Sequence, residues 1–309
     1  MTQNFSDPWS EWLLYRRHGG DAKLEQSVLA DTMKYADRVL DGARLEAGMR
    51  LADIGTGDGL VAFRAIERVG PSLQVLMTDI SSPLLEHVQT MASVRNVGRQ
   101  CEFLLGSADA LSGIADGSVD VVTTRAVLAY VADKPAALRE FHRILRPAGR
   151  LSICEPIMRD DALEVCLLRR LVEAQEQQQL HGPADPFLAM LLRWRAAQFP
   201  DTLEKAQETP ISNYTERDLV RYAFDAGFSD IHLEFHIDIQ TLNMPTWDAV
   251  LNVSPHPLAP PLGAVLEKHF TPGERRFFEP RLRDLLNDGQ RRFTTNRTAW
   301  LTAEKPSPP

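Results

Sequence analysis

The stretch Leu51-Ala-Asp-Ile-Gly-Thr-Gly-Asp-Gly-Leu-Val-Ala-Phe63 decides the fold. It holds three glycines in five positions, Gly55, Gly57 and Gly59. Asp53 precedes the first and Asp58 separates the last two. The order is a short apolar run, a tight turn, then an amphipathic stretch, which reads as strand, turn and helix. Glycine lets such a turn adopt left-handed angles and pass close to a ligand. A dinucleotide turn is spaced G-x-G-x-x-G, and here the third glycine comes one residue early. The two carboxylates also oppose a pyrophosphate. At roughly 5 Å and an effective dielectric of about 20, each repulsion is on the order of 3 kcal/mol. A ligand that carries an ammonium or sulfonium and no phosphate suits the turn better.

Outward from this turn, short apolar runs alternate with amphipathic stretches, the signature of a parallel sheet with crossover helices. Strands are expected at 50–54, 73–78, 101–105, 119–124 and 150–154, and helices near 21–42, 59–69, 83–95 and 134–146. Ser82-Pro83 is expected to start the third of these helices as N-cap and N1. After Pro156 the alternation gives way to charged helical sequence, and it resumes at Thr215, an N-cap candidate with Asp218 three residues on. A strand is expected at about 230–240, a helix at about 273–289 and a last strand over Arg297–Glu304. The resulting division is an N-terminal helical cap, 1–48; a core, 49–156; a helical insertion, 157–213; a core helix and strand, 214–242; a second insertion, 243–291; and a last strand with a tail, 292–309. Both insertions leave from regions that lie over the ligand-binding edge of an open sheet and, with the N-terminal helix, are expected to form a lid.

The chain has 309 residues and a formal charge of −8, which disfavours nucleic acid as the main partner. Its three cysteines, Cys101, Cys154 and Cys166, have no paired spacing and read as free thiols in a reducing compartment. No run approaches the roughly 20 apolar residues that cross a bilayer, and the N-terminus lacks a signal-peptide pattern. The expectation is a cytoplasmic protein, monomer or homodimer, with a small-molecule substrate and no membrane or nucleic-acid partner.

Four motifs in order, "LADIGTGDG", "MTDIS", "GSADAL" and "DGSVDVVTTRAVLAYVADKPAALREFHRILRPAGRLSI", resemble those of class I S-adenosylmethionine-dependent methyltransferases. They are most similar to the small-molecule, ubiquinone/menaquinone-type branch. The resemblance covers about 49–155 and resumes at 215–240. It implies a Rossmann-like, doubly wound α/β fold with a seven-stranded, mostly parallel sheet in the order 3-2-1-4-5-7-6. It also implies S-adenosyl-L-methionine as cofactor. Asp53 with Gly55, Thr56 and Gly57 would meet its methionine end, Asp79 its ribose and Ile80 its adenine. Ser107, Ala108 and Asp109 would hold the adenine edge; which of Ser107 and Asp109 reads the amine stays open. Arg125 and Ala126 would lie near the sulfur. In such enzymes the N-terminal segment folds over the cofactor, so Arg17 or Arg16 would pair with its carboxylate and Tyr15 would line the pocket.

The implied function is methyl transfer to an O, N or C atom of a small molecule, aromatic or natural-product-like, by in-line displacement and without a metal. Two alternatives are a binding or regulatory protein on the same fold and a nicotinamide-dependent oxidoreductase. Tyr130, just past the fourth strand, and His181 and His256, in the insertions, are the catalytic candidates; histidine titrates in the range of a general base. Glu155, at the tip of the fifth strand, either orients a substrate nitrogen or oxygen or is solvent-exposed or salt-bridged. Phe187, Met190, Trp194, Phe199, Phe270 and Phe277 either line an apolar acceptor pocket or form the core of the inserted helices.

Overall fold

The computed structural model describes residues 7–177, 185–241, 246–287 and 293–307. The chain opens with α1 (Pro8–Glu11) and a π-helical turn, Trp12–Arg16. There follow α2 (Ala22–Ala43), β1 (Arg50–Ile54), α3 (Leu60–Val69), β2 (Gln74–Asp79), α4 (Ser82–Val94), β3 (Cys101–Leu105), β4 (Val119–Arg125), α5 (Lys134–Ile144) and β5 (Leu145–Pro156). The helices α6 (Arg159–Gln177), α7 (Pro186–Ala196) and α8 (Leu203–Glu208) precede α9 (Glu216–Asp225) and β6 (Ser229–Thr241). Last come α10 (Trp247–Asn252), α11 (Leu262–His269), α12 (Pro272–Asn287) and β7 (Phe293–Glu304).

The strands form one sheet in the expected order, β3-β2-β1-β4-β5-β7-β6. The first five are parallel, and β7 runs antiparallel to both β5 and β6. Alternation along a strand sends neighbouring side chains to opposite faces. Leu51 therefore joins the layer of α2, α3 and α4, while Ala52 and Ile54 join that of α5, α6 and α9. Parallel order brings the carboxyl ends of β1, β2, β3 and β4 to one edge, where open α/β sheets bind ligands. No described helix is long and apolar enough to cross a membrane.

Several expectations are refined. The N-cap of α4 is Ser81, whose hydroxyl accepts from Leu84 N, so Pro83 stands second in the helix. Strand β5 begins at Leu145, and a register shift against β4 absorbs the Arg-Pro-Ala-Gly segment. Thr215 and Asp218 form a full capping box. Helix α2 buries Ala36, Val39, Leu40 and Ala43 against the sheet layer, so it is a core helix and not part of a lid. Met190 and Phe270 are buried in a separate cluster with α11 and α12, and Phe187, Trp194 and Phe277 pack against it. Phe199 belongs to the main core. Apart from Phe199, these side chains belong to the inserted helices' own core.

Candidate active site

The glycine turn folds as its composition demands. Gly55, Gly57 and Gly59 take φ of 66°, 59° and 78°, angles that cost an L-residue about 1–2 kcal/mol. The turn also has no room for side chains. A Cβ at Gly55 would lie 2.4 Å from Val127 Cγ2, and one at Gly57 would lie 2.9 Å from Leu13 Cδ2. The turn is thus pressed between the loop after β4 and the N-terminal segment.

Its two flanking carboxylates are buried and ordered. Asp53 accepts from Thr56 Oγ1 and Thr123 Oγ1, each at 2.8 Å. Burial pushes its carboxyl up to about 6, against the pull of those hydroxyls and of Arg125. Asp79 accepts from Gly57 N through Oδ2 and from Ser81 N through Oδ1, both at 2.9 Å. Burial raises its pKa as well. Asp58, inside the turn, faces Arg17 at 3.8 Å. Arg17 is largely buried, its Nε has no hydrogen-bond partner among the described residues, and burial lowers its pKa.

Asp53, Asp79 and the glycine turn border a cavity of about 350 Å3, at the small end of the range for small-molecule sites. Asp53, Gly55, Thr56, Gly57, Asp79, Ile80, Ser107, Ala108, Asp109, Arg125 and Tyr130 all line it. Ser107 Oγ donates to Asp109 Oδ1, so the two candidates for the adenine edge act as one unit. Ile80 is half exposed and offers an apolar surface at the rim. The Arg125 guanidinium makes no hydrogen bond or ion pair among the described residues. The Tyr130 hydroxyl likewise has no hydrogen-bond partner there, and burial, then the nearby Glu155, raises its pKa.

The roof is where the sequence was least legible. Trp9, Trp12, Leu13 and Pro257 close the cavity. Asp7 caps α1 through Trp9 N and Ser10 N, and its other oxygen accepts from Ser81 Oγ at 2.7 Å. That ties the segment to the start of α4. Trp12 Nε1 donates to Ser254 O at 2.9 Å, which joins the segment to the second insertion. Trp9 meets Tyr130 edge to face, ring centroids 5.1 Å apart. Tyr15, by contrast, is 38 % exposed, packs on Gly20 and His18, and does not line the cavity. Arg17 does not line it either and stands behind Asp58.

His256 is buried 2.8 Å from the Gln198 carbonyl. A carbonyl only accepts, so Nε2 carries the proton and Nδ1 is the bare nitrogen. Its ring packs on Phe199, and burial lowers its pKa. It lies outside the cavity wall, which its neighbour Pro257 reaches instead. His181 lies outside the described residues. Glu155 neither touches the cavity nor meets solvent: it is fully buried and accepts from Thr124 Oγ1 (2.8 Å), Val127 N (3.0 Å) and Ala129 N (3.3 Å). It thereby shapes the loop in which Ala126, at the cavity wall, holds a φ of 57°.

A family model described as a methyltransferase domain matches residues 45–213. The chain is 37 % identical over 122 residues to nocamycin O-methyltransferase of Saccharothrix syringae, covering 40 % of this chain and 43 % of that protein. It is 28 % identical over 197 residues to the ubiquinone/menaquinone biosynthesis C-methyltransferase of Bradyrhizobium diazoefficiens, covering 62 % and 71 %. The Hahella chejuensis counterpart is 35 % identical over 116 residues, 38 % of this chain and 46 % of that one. The chain therefore spans less than half the length of two of these three relatives. Among solved structures, the YcgJ protein of Bacillus subtilis superposes with a TM-score of 0.52 at 15 % identity, covering 88 % of this chain and 98 % of that one. That likeness bears on the fold alone.

Proposed function

The chain belongs to the methyltransferase domain family, and from that premise we propose that it transfers a methyl group from S-adenosylmethionine to a small-molecule acceptor. The observation that carries the reading is the glycine turn with Asp53 and Asp79 at the wall of one cavity. The antiparallel β7, inserted between β5 and β6, supports it further; dinucleotide-binding sheets run 3-2-1-4-5-6.

The cavity's donors and acceptors fit that cofactor. A carboxylate has about four lone-pair sites, and Asp79 uses two on Gly57 N and Ser81 N. Two remain for a ribose diol. Ile80 offers an apolar shelf for adenine, and Asp109, oriented by Ser107, offers its second oxygen to the amine. The cofactor's ammonium would draw the Asp53 proton off and hold that carboxylate charged. Arg125, a cation with no hydrogen bond or ion pair among the described residues, lies at the same end and suits the methionine carboxylate. Bound there, S-adenosylmethionine supplies an electrophilic methyl on a positive sulfur.

The chain's own task is to position the acceptor and exclude water. Trp9, Trp12 and Leu13 form the dry roof. Tyr130 keeps its proton at neutral pH and serves as a hydrogen-bond donor that orients an acceptor oxygen or nitrogen. The relatives' names cover both O- and C-methylation. The apolar walls favour an aromatic or natural-product-like acceptor. The test is calorimetry with S-adenosylhomocysteine and NAD in parallel. Heat from the first and none from the second is expected; the reverse, or no heat from S-adenosylhomocysteine, overturns the reading.

A further inference from the structure

Strand β6 ends the sheet, and among the described residues only β7 pairs with it. An unpaired edge is a template for another strand. Proteins that resist such pairing place charged side chains, prolines or bulges along the edge. Here a bulge with Asp230 at φ 46° interrupts only the first residues, between Ser229 and His232. The stretch 231–239 is regular and alternates strictly. One face carries Ile231, Leu233 and Phe235, which pack against the main core, and then Ile237 and Ile239, which are 57 % and 66 % exposed. The other face carries His232, Glu234, His236 and Asp238.

We infer that this edge pairs antiparallel with the same edge of a second copy of the chain, about a two-fold axis at Phe235. In that register Ile231 faces Ile239, Leu233 faces Ile237 and Phe235 faces itself. On the polar face His232 meets Asp238 and Glu234 meets His236, so each directly opposed pair joins an acid to a histidine. Opposed side chains of this kind stabilise a sheet, and like charges directly opposite destabilise it. Moving the axis to Glu234 sets His232 against His236; moving it to His236 sets Glu234 against Asp238. An axis at Leu233 brings the bulged residues into the pairing and leaves Ile237 and Ile239 uncovered by apolar partners. The Phe235 axis covers both isoleucines, brings all five apolar residues of 231–239 into the contact and opposes no like charges; an axis at Ile237 also covers both isoleucines but leaves Ile231 opposite no described strand residue. A closed two-fold contact of this type uses one patch twice and stops at the dimer.

The arrangement keeps catalysis separate. Strand β6 runs parallel to β5, so antiparallel edges point the two cavities in opposite directions. The inference therefore does not depend on the proposed function. Sedimentation equilibrium tests it directly. A rise from 34.7 kDa towards twice that mass is expected as concentration goes from nanomolar to high micromolar. Ile237→Lys and Ile239→Lys should each weaken association at least about tenfold, with circular dichroism and S-adenosylhomocysteine binding unchanged. Register is read on a Cys101→Ser background. The combined His232→Cys and Asp238→Cys chain should be bridged between copies by a short bismaleimide, and neither single variant should be. A wild-type chain that stays monomeric at high micromolar concentration overturns the inference. So does a dimer that survives Ile237→Lys, or a double-cysteine chain that does not bridge.

Discussion

Asp79→Asn isolates the acid that the cofactor assignment needs most. Asp79 receives Ser81 N on one oxygen and Gly57 N on the other. An amide keeps one acceptor and turns the second position into a donor. One backbone N–H then loses its partner beside a buried NH2, at a cost of about 1–3 kcal/mol. The unligated variant should melt a few degrees lower, since about 1 kcal/mol moves Tm roughly 2–4 °C in domains of moderate size. Binding suffers separately. A carboxylate hydrogen-bonds roughly twice as strongly as a neutral acceptor, and the amide can serve one ribose hydroxyl where the acid serves two. A loss of about 2–3 kcal/mol is expected, roughly 30- to 150-fold in Kd. Trp9 and Trp12 line the cavity, so quenching of tryptophan fluorescence by S-adenosylhomocysteine reports occupancy. Its 2′-deoxy analogue separates a ribose contact from general damage. Wild type should discriminate against the analogue about tenfold or more, and Asp79→Asn should discriminate far less. If the variant binds within threefold of wild type, or discriminates as wild type does, Asp79 does not hold the ribose and the assignment fails.

Three more outcomes follow from named contacts. Burial holds the Asp53 carboxyl at about 6 in the fold against 3.8 in the unfolded chain. The folded state thus binds that proton more tightly, and stability falls as pH rises from about 4 through about 6, by up to roughly 3 kcal/mol. Urea midpoints of unligated wild type should fall more steeply with pH across that window than those of Asp53→Asn, which keeps the contribution of Asp79, also raised by burial; parallel curves would sink the claim. Gly57→Ala adds both a left-handed alanine and a contact with Leu13, whereas a methyl added at Gly48, at φ 84°, would meet nothing within 4 Å. Both variants should lose about 1–2 kcal/mol of stability, but only Gly57→Ala should weaken S-adenosylhomocysteine binding, as fluorescence titration will tell. Glu155→Gln removes a charged acceptor from Thr124 Oγ1, Val127 N and Ala129 N. It should cost about 2–4 kcal/mol in chemical denaturation and lower kcat more than cofactor affinity; an unchanged denaturation midpoint contradicts the role given to this acid.

The parts of the site that a short window of sequence encodes were legible. The glycine turn, Asp53, Asp79, the Ser107–Asp109 unit and Arg125 each lie at or just past the carboxyl end of a strand, so strand order alone carries them to one edge. The roof was not legible in the same way. Trp12 reaches Ser254 across 242 positions of chain, and no periodicity records such a contact. Within "WLLYRRHGGD" the polar residues looked functional, yet the apolar Trp12 and Leu13 face the cavity and Tyr15 faces out. His256 misled for a related reason. A histidine in a proline-rich loop resembles an exposed base, and only the fold supplies the Gln198 carbonyl and the Phe199 ring that bury it.

Two buried charges, Glu155 and Lys134, stand behind the site's wall, and that placement explains the wall's shape. Ala126 holds a left-handed backbone with no glycine to ease it, a strain of about 1–3 kcal/mol that persists only where the surroundings over-determine it. Glu155 supplies one constraint by gathering the N–H groups of Val127 and Ala129 from the β5 side. Lys134 supplies another. Its ammonium donates to Val131 O (3.0 Å), Pro210 O (2.8 Å) and Asn213 Oδ1 (3.0 Å), and lies over the Tyr214 ring. Burial lowers its pKa to about 8. The loop that carries Tyr130 is therefore pinned at one end to the sheet and at the other to the close of the first insertion. An apolar pair in the same places would leave converging N–H and C=O groups without partners, each costing about 1–3 kcal/mol. Buried charge here stabilises less than it specifies: it selects the one loop conformation that presents Arg125, Ala126 and Tyr130 together to the cavity.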